Sequence, residues 1–278
     1  MNVSGTDTPV TILHRLALGV EPFDTLTGRR IGSAELIVER EQDYGRRRAD
    51  PYEPVPPGRP LEPSLGGRFR LRYGPQVVSP ARIRLWDRRR RFAPRRFEIP
   101  LWTLKEITAI ERTGTDLPVF SRVFRPWLMP GVAAPIPPAA TAARGRIVRA
   151  GLPVPWARIV ASEPGQPDVH TSADERGEFL LVVAGPRQIA VGRLDLDLVV
   201  LADPAIEPVA QAAHRFDSLP LEKVARSSNP AADAELDNPL LRGVRPPATF
   251  VAGQTVHRIR LAVGRPASEI NTLEFDPQ

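Results

Sequence analysis

The sequence predicts an all-β protein built as two tandem antiparallel β-sandwiches with long Pro/Arg-rich loops, and three observations predict it. The 278 residues include 32 prolines and 20 glycines, which favour many turns over long helices, while 42% hydrophobic content is enough to fill a core. Short apolar/polar alternations recur between those turns, as strands require. One order of motifs occurs twice along a chain longer than an ordinary single domain.

The clearest stretch runs from Arg144 to Val183. Alternating runs at Gly145 to Val148, Ala157 to Ala161, Val169 to Thr171 and Glu178 to Val183 are separated by Gly151-Leu-Pro153, Pro164-Gly165 and Asp174-Glu-Arg-Gly177. Four strands so close in sequence are expected to share one antiparallel sheet. Pro153 and Pro155 suit a turn or sheet edge, because each fixes φ and removes an amide donor. Asp174 is placed to accept bonds from amides ahead of it, and Gly177 to take positive φ. Beyond that turn Phe179, Leu181 and Val183 share one face while Leu180 and Val182 share the other, so this strand is expected to be covered on both sides.

Gly145, Ile147, Val148, Gly151-Leu-Pro-Val154, Ala157-Arg-Ile-Val160, Thr171, Asp174, Gly177 and Phe179 resemble the carboxypeptidase regulatory-like domain, a transthyretin-like β-sandwich found as an accessory module. The resemblance implies a fold and no reaction. Proteins that carry such a module beside a second sandwich occur alongside components of phage-tail-like contractile injection particles. The resemblance therefore implies a subunit of such a particle, at its cap or baseplate.

In the first half, Val10 to Val20, Ile31 to Glu39, Arg68 to Tyr73, Ala81 to Asp87 and Phe92 to Leu101 read as strands, with a proline- and arginine-rich insertion over 40–67. These strands look like a degenerate copy of the second half. Thr27-Gly28 sets against Arg144-Gly145, Ser33 to Val38 against Trp156 to Val160, Gly67-Arg68-Phe69 against Gly177-Glu178-Phe179, and Ile83 to Asp87 against Leu198 to Asp203. Residues 1–112 then form one transthyretin-like or immunoglobulin-like sandwich, 113–143 a linker, and 144–278 the other. Within the linker Phe120, Val123, Phe124, Trp127 and Leu128 are spaced for a short helical set, whose apolar side chains either plug the joint or dock a partner. Residues 203–247 carry little strand signal beyond a short helix expected from Ile206 to Phe216. Thr249 to Val251, Thr255 to Val263 and Ile270 to Phe275 complete the second sandwich.

The net charge of +6 is uneven: residues 1–139 hold 23 basic and 15 acidic side chains, and residues 140–278 hold 15 and 17. Only Lys105 and Lys223 are lysines, so the basic side is arginine, which suits carboxylate pairing and wet protein interfaces. Arg46, Arg47 and Arg48, Arg88, Arg89, Arg90 and Arg91, and the apolar Phe120, Phe124, Trp127 and Leu128 are the candidate partner-docking residues. Their expected partners are other protein subunits with acidic surfaces. Asp87 and Glu98 flank the main arginine run and no finger, RNP or helix-turn-helix pattern accompanies it, so nucleic acid is not the expected partner. A solvated hairpin tip is the plainer alternative for this run.

The chain has no cysteine, which excludes disulfides and thiolate chemistry. His14, His170, His214 and His257 are scattered without ligand spacing, so no metal or cofactor is expected. There is no Gly-x-Ser-x-Gly turn, and His170, Ser172 and Asp174 alternate on a strand edge without an oxyanion donor set. Asp195 and Asp197 read as the solvated face of a strand whose apolar side is Leu194, Leu196 and Leu198. No run of eighteen apolar residues occurs, so a soluble protein made in the cytoplasm and not inserted in a membrane is expected, free or released within a particle. The residues thus point to a non-enzymatic structural or adaptor protein. The alternative is a carbohydrate- or surface-binding module, which needs exposed aromatics among Trp86, Trp102, Trp127 and Trp156; an enzyme with a spatially assembled site comes third.

Overall fold

Alternation decides which side chains face inward, and here it fills two cores. The computed structural model describes residues 16–41, 58–75, 77–114, 119–183, 192–206, 218–225 and 238–277, with Pro208 and Phe216. The first half contains β1 (Leu16–Val20), β2 (Phe23–Asp24), β3 (Ile37–Arg40), β4 (Arg59–Pro60), β5 (Glu62–Ser64), β6 (Arg68–Arg72), β7 (Ala81–Trp86) and β8 (Arg95–Ile99). A helix α1 (Leu104–Arg112), a 3-10 turn (Val119–Arg122), β9 (Val123–Phe124) and β10 (Trp127–Leu128) follow. One layer has the order β5-β6-β1-β9 and the other contains β8-β7-β3-β4. Leu18, Val20, Val38, Phe69, Ile83, Leu85 and Phe97 meet between them.

The second half contains β11 (Thr141–Arg149), β12 (Leu152–Pro153), β13 (Arg158–Ser162), β14 (Val169–Ser172), β15 (Glu178–Val183), β16 (Arg193–Ala202), β17 (Leu221–Lys223), β18 (Val251–Ala262) and β19 (Pro266–Glu274). β11 lies between β15 and a parallel β19, while β14-β13-β16-β18 forms the facing layer. Ile147, Ile159, Phe179, Leu181, Leu196, Leu198 and Phe275 fill this core. Contrary to the expectation of one antiparallel sheet, the four strands of 144–183 divide: β11 and β15 sit in one layer, β13 and β14 in the other. Pro153 and Pro155 have no amide for a continued ladder, Val154 donates the one left in this link to Ile147 at 3.0 Å, and the chain crosses between layers beyond it.

The duplication holds at the level of pairing. β1 pairs antiparallel with β6 and parallel with β9, as β11 does with β15 and β19. β3 lies between β4 and β7, with β8 outside, as β13 lies between β14 and β16, with β18 outside. Phe69 and Phe179 occupy matching strands, as do Ile83 and Leu198. Thr27-Gly28 does not match Arg144-Gly145. Gly28 sits in a turn at φ 67°, whereas Gly145 is inside β11, where an added Cβ would fall 2.4 Å from the Phe179 ring and 2.5 Å from the Asn271 carbonyl oxygen.

The expected acidic turn forms: Asp174 Oδ1 accepts from the amides of Arg176 at 2.8 Å and Glu178 at 3.0 Å, and Gly177 has φ 71°. Leu180 and Val182 are covered by Ala134 and by Ile136 of the linker, so β15 is buried on both faces. Asp195 and Asp197 make exposed pairs with Arg260 and Arg258.

Several elements depart from expectation, among them β4 and β5, which lie within the insertion expected over 40–67 and pair with β3 and β6. The strand expected over Ile31 to Glu39 is confined to β3, after a turn at Gly32 to Glu35. The helix α1 was not expected, although its capping box is written in the sequence. Thr103 Oγ1 accepts from the Glu106 amide at 3.2 Å, and the Glu106 carboxylate accepts from the Thr103 amide at 2.7 Å. β17, from the range assigned to the second sandwich, crosses over and pairs parallel with β8 of the first. The helix expected over Ile206 to Phe216 lies largely outside the described residues.

Candidate functional site

The crossing of β17 onto β8 assembles a joint between the sandwiches. β8 carries Arg95, Phe97 and Ile99 on its buried face, so Arg95 enters the interior with its guanidinium 4.5 Å from the Phe97 ring centroid. Glu222 of β17 meets it side by side: Arg95 Nε and Nη2 donate to the two carboxylate oxygens at 2.8 and 2.5 Å. The remaining donors of Arg95 reach the carbonyls of Trp127, Leu241 and Leu240 at 2.8, 2.7 and 2.6 Å. From the other sandwich, Arg158 Nη2 donates to Glu222 at 3.3 Å and its Nη1 contacts Met129 Sδ at 3.4 Å. Two guanidiniums thus share one carboxylate in a site where Arg95 and Glu222 are almost fully buried. Burial pushes the Arg158 guanidinium down to about 10, the Glu222 charge opposes that shift, and Arg95 adds to it.

A second ionic contact closes the other side of the joint. The β7–β8 hairpin tip is shaped by Asp87, which accepts from the amides of Arg89 at 2.9 Å and Arg91 at 3.0 Å. That turn holds Arg90 at φ 57°, and its guanidinium pairs with Asp174 and, at 3.3 Å, with Glu175 of the second sandwich. Burial pushes the Asp174 carboxyl up, against the bonds from Arg176, Glu178 and Arg90. Around these contacts Phe216 lies between Trp86 and Trp156, at centroid distances of 5.4 and 6.5 Å, with Arg84 on its face at 4.8 Å. Trp156 Nε1 donates to Ser218 Oγ at 2.9 Å.

The candidate docking residues therefore separate. Arg90 is consumed by the joint, and Arg91 pairs with Asp87 at 3.0 Å and Glu35 at 3.1 Å. Arg88 and Arg89 are exposed at the same tip. The apolar set is no helix. Phe124 of β9 is buried edge-on against Phe97, and Leu128 of β10 is fully buried. Trp127 stacks on Phe23 at 5.3 Å with Arg242 over its ring. Pro126 removes an amide and forces extended backbone here, and the edges of β1 and β2 supply the pairing. Arg46, Arg47 and Arg48 lie outside the described residues, as does the Phe120 side chain. Arg95, Glu222 and Arg158, which carry the joint, were not singled out from sequence. The phase of Arg95 with Phe97 and Ile99 is the signal that marks one of them as inward.

None of the four tryptophans is exposed: Trp156 is buried and Trp86, Trp102 and Trp127 are half-buried. His170 is half-buried, with its imidazolium disfavoured by burial and by Arg158, and favoured by Asp168. His214 lies outside the described residues. Among the described residues no three His, Asp or Glu side chains converge as metal ligands, and no helix is long and apolar enough to cross a membrane.

Fold and joint define an all-β protein of two topologically matched sandwiches locked together by buried ion pairs. No protein-family model and no curated protein matches the chain. Among solved structures it is similar to the Streptococcal ancillary pilin, at 8% identity and a TM-score of 0.23, over 95% of this chain and 62% of that one. The chain thus spans less than two thirds of that protein, and a likeness this distant carries no argument about role.

Proposed function

We propose that the chain is a non-enzymatic structural or adaptor subunit that presents docking surfaces on a rigid pair of sandwiches. The observation that carries this reading is the joint: Arg95, Glu222 and Arg158, with Arg90 on Asp174, fix the two halves in one relative orientation. Arg88 and Arg89 remain at the tip for an acidic partner surface. In its most specific form, the second sandwich is a carboxypeptidase regulatory-like module and the chain a cap or baseplate component of a phage-tail-like contractile injection particle. The Asp174 to Phe179 turn and its strand support the first part, and the resemblance read from sequence supports the second. The absence of an exposed tryptophan weighs against the carbohydrate-binding alternative.

The test is co-sedimentation of the full chain with purified phage-tail-like contractile particles, using the parent and an Arg88→Ala, Arg89→Ala variant. The reading requires the parent to pellet with the particle and the variant to remain in the supernatant. Equal sedimentation of both would remove the tip from the docking surface, and no sedimentation of either would remove the particle assignment.

A further inference from the structure

The two copies treat one face differently. On the outer face of the β15-β11 layer, Leu180 and Val182 are buried beneath an extended stretch of the linker that includes Ala134 and Ile136. With Phe69 matched to Phe179, the first copy places Arg70 and Arg72 where the second has Leu180 and Val182. Among the described residues no segment lies across them. Instead the outer face of the β5-β6-β1-β9 layer holds a groove of about 590 Å³. Gly19, opposite Arg70 in the ladder, forms part of its floor, and Val123 and Arg125 form one wall.

The charges in this groove do not balance. Arg70 and Arg72 share Glu62 at 2.5 and 2.9 Å, while Arg68 and Arg125 share Glu21 at 2.6 and 3.2 Å. Arg30 also lies 3.6 Å from Glu21, so among the described residues five guanidiniums hold two carboxylates. The Nε of Arg70 is shielded from solvent and has no acceptor. A buried donor left unmade is costly, so it marks a position where an arriving acceptor is rewarded. We propose that this groove binds an extended acidic segment of a partner protein, laid across the face as the linker is laid across its counterpart, with Asp or Glu carboxylates received by Arg70 and Arg72. The pairs already present favour carboxylate: Glu62 is held by two guanidiniums and Glu21 by three. The assignment rests on the adaptor reading and gives it a second surface, on the opposite layer of the sandwich from the one that carries the hairpin tip.

The experiment is fluorescence anisotropy of the full chain with a fluorescein-labelled hexaglutamate peptide at low salt. Arg70→Gln removes the unpaired donor and one charge. Gly19→Val raises the floor without altering charge, since a Cβ there meets Val123 at an ordinary 3.5 Å. Arg193→Gln with Arg265→Gln removes two exposed charges on the other sandwich, and circular dichroism melting confirms that each variant is folded. The expected result is a loss of about fivefold or more in affinity for Arg70→Gln and for Gly19→Val, and less than about twofold for the distant pair. Competition with inorganic phosphate and with single-stranded oligonucleotide distinguishes sources, and neither is expected to displace the peptide at equivalent concentration.

No peptide binding, unchanged affinity in folded Gly19→Val, equal loss in the distant pair, or displacement by phosphate or oligonucleotide overturns the assignment. Binding that survives both groove variants but is abolished by Arg88→Gln with Arg89→Gln also overturns it, and leaves the adaptor reading intact.

Discussion

Glu222→Gln is the most informative single change, because it preserves volume and removes only the charge that two buried guanidiniums share. In the parent, the Glu222 oxygens accept three bonds, at 2.8, 2.5 and 3.3 Å. Glutamine keeps one acceptor oxygen and turns an NH₂ donor toward groups that only donate. This side of the joint then holds two cations and no anion. Burial already outweighs pairing at Arg158, whose guanidinium is pushed down to about 10 with Glu222 present. Removing the opposing charge leaves that burial uncompensated, and breaking such a buried pair costs about 3–5 kcal/mol. Arg158→Met behaves differently. It removes the guanidinium for which burial is unfavourable and leaves the bidentate Arg95–Glu222 pair, so the expected cost is about 1 kcal/mol or less. The assay is urea denaturation followed by tryptophan fluorescence, with the double variant included to complete the cycle. A Glu222→Gln protein within about 1 kcal/mol of the parent, or an Arg158→Met protein as damaged as Glu222→Gln, would refute the argument that the shared carboxylate holds the joint.

Gly145→Ala is expected to destabilise the second sandwich by about 1–3 kcal/mol in the same assay, because the new Cβ meets the Phe179 ring and the backbone of β19 together; a neutral effect would place β19 elsewhere. His170 has its pKa lowered, first by burial, so the unfolded chain binds the proton more readily. Its contribution to stability is full above its ordinary 6.5 and is lost as pH falls below that value and through the lowered folded one. Denaturation midpoints measured from pH 7 to pH 5 should therefore decline, and decline less in His170→Gln; an equal decline in both would show that other groups carry it.

Local chemistry was legible wherever it sets its own geometry. The Asp174 to Gly177 turn, the two faces of β15 and the solvated Asp195 and Asp197 were all readable, because Asx turns and period-two alternation are properties of neighbouring residues. Pairing was less legible. The strands β11, β13, β14 and β15 look like one sheet from spacing alone, and alternation gives a strand its face without giving it a partner. The repeat survived at Phe69, Ile83 and β3 because core positions constrain both copies alike. It failed at Gly28 because glycine answers two needs: positive φ in one place and close approach of a ring in another. The joint was illegible for the strongest form of the same reason. Glu222 lies 127 residues from Arg95 and 64 from Arg158, on a strand of three residues with no periodicity of its own.

The run Arg88 to Arg91 shows how arginine can serve opposite ends within one turn. Asp87 draws two amides of the tip onto its carboxylate and fixes the loop. Arg90 is thereby aimed at Asp174 and Arg91 at Glu35, while Arg88 and Arg89 are left in solvent. A run of four like charges would repel if all four shared one environment. Here two are neutralised by carboxylates drawn from elsewhere in the fold, one of them across the joint. The same residue type, in the same run, both locks the sandwiches together and leaves charge outside. Apolar side chains of similar volume could give the joint comparable stability. What ion pairs add is a directional requirement: Arg95, Arg158 and Glu222 satisfy one another only when the two sandwiches sit in this orientation, which is the property a rigid adaptor needs.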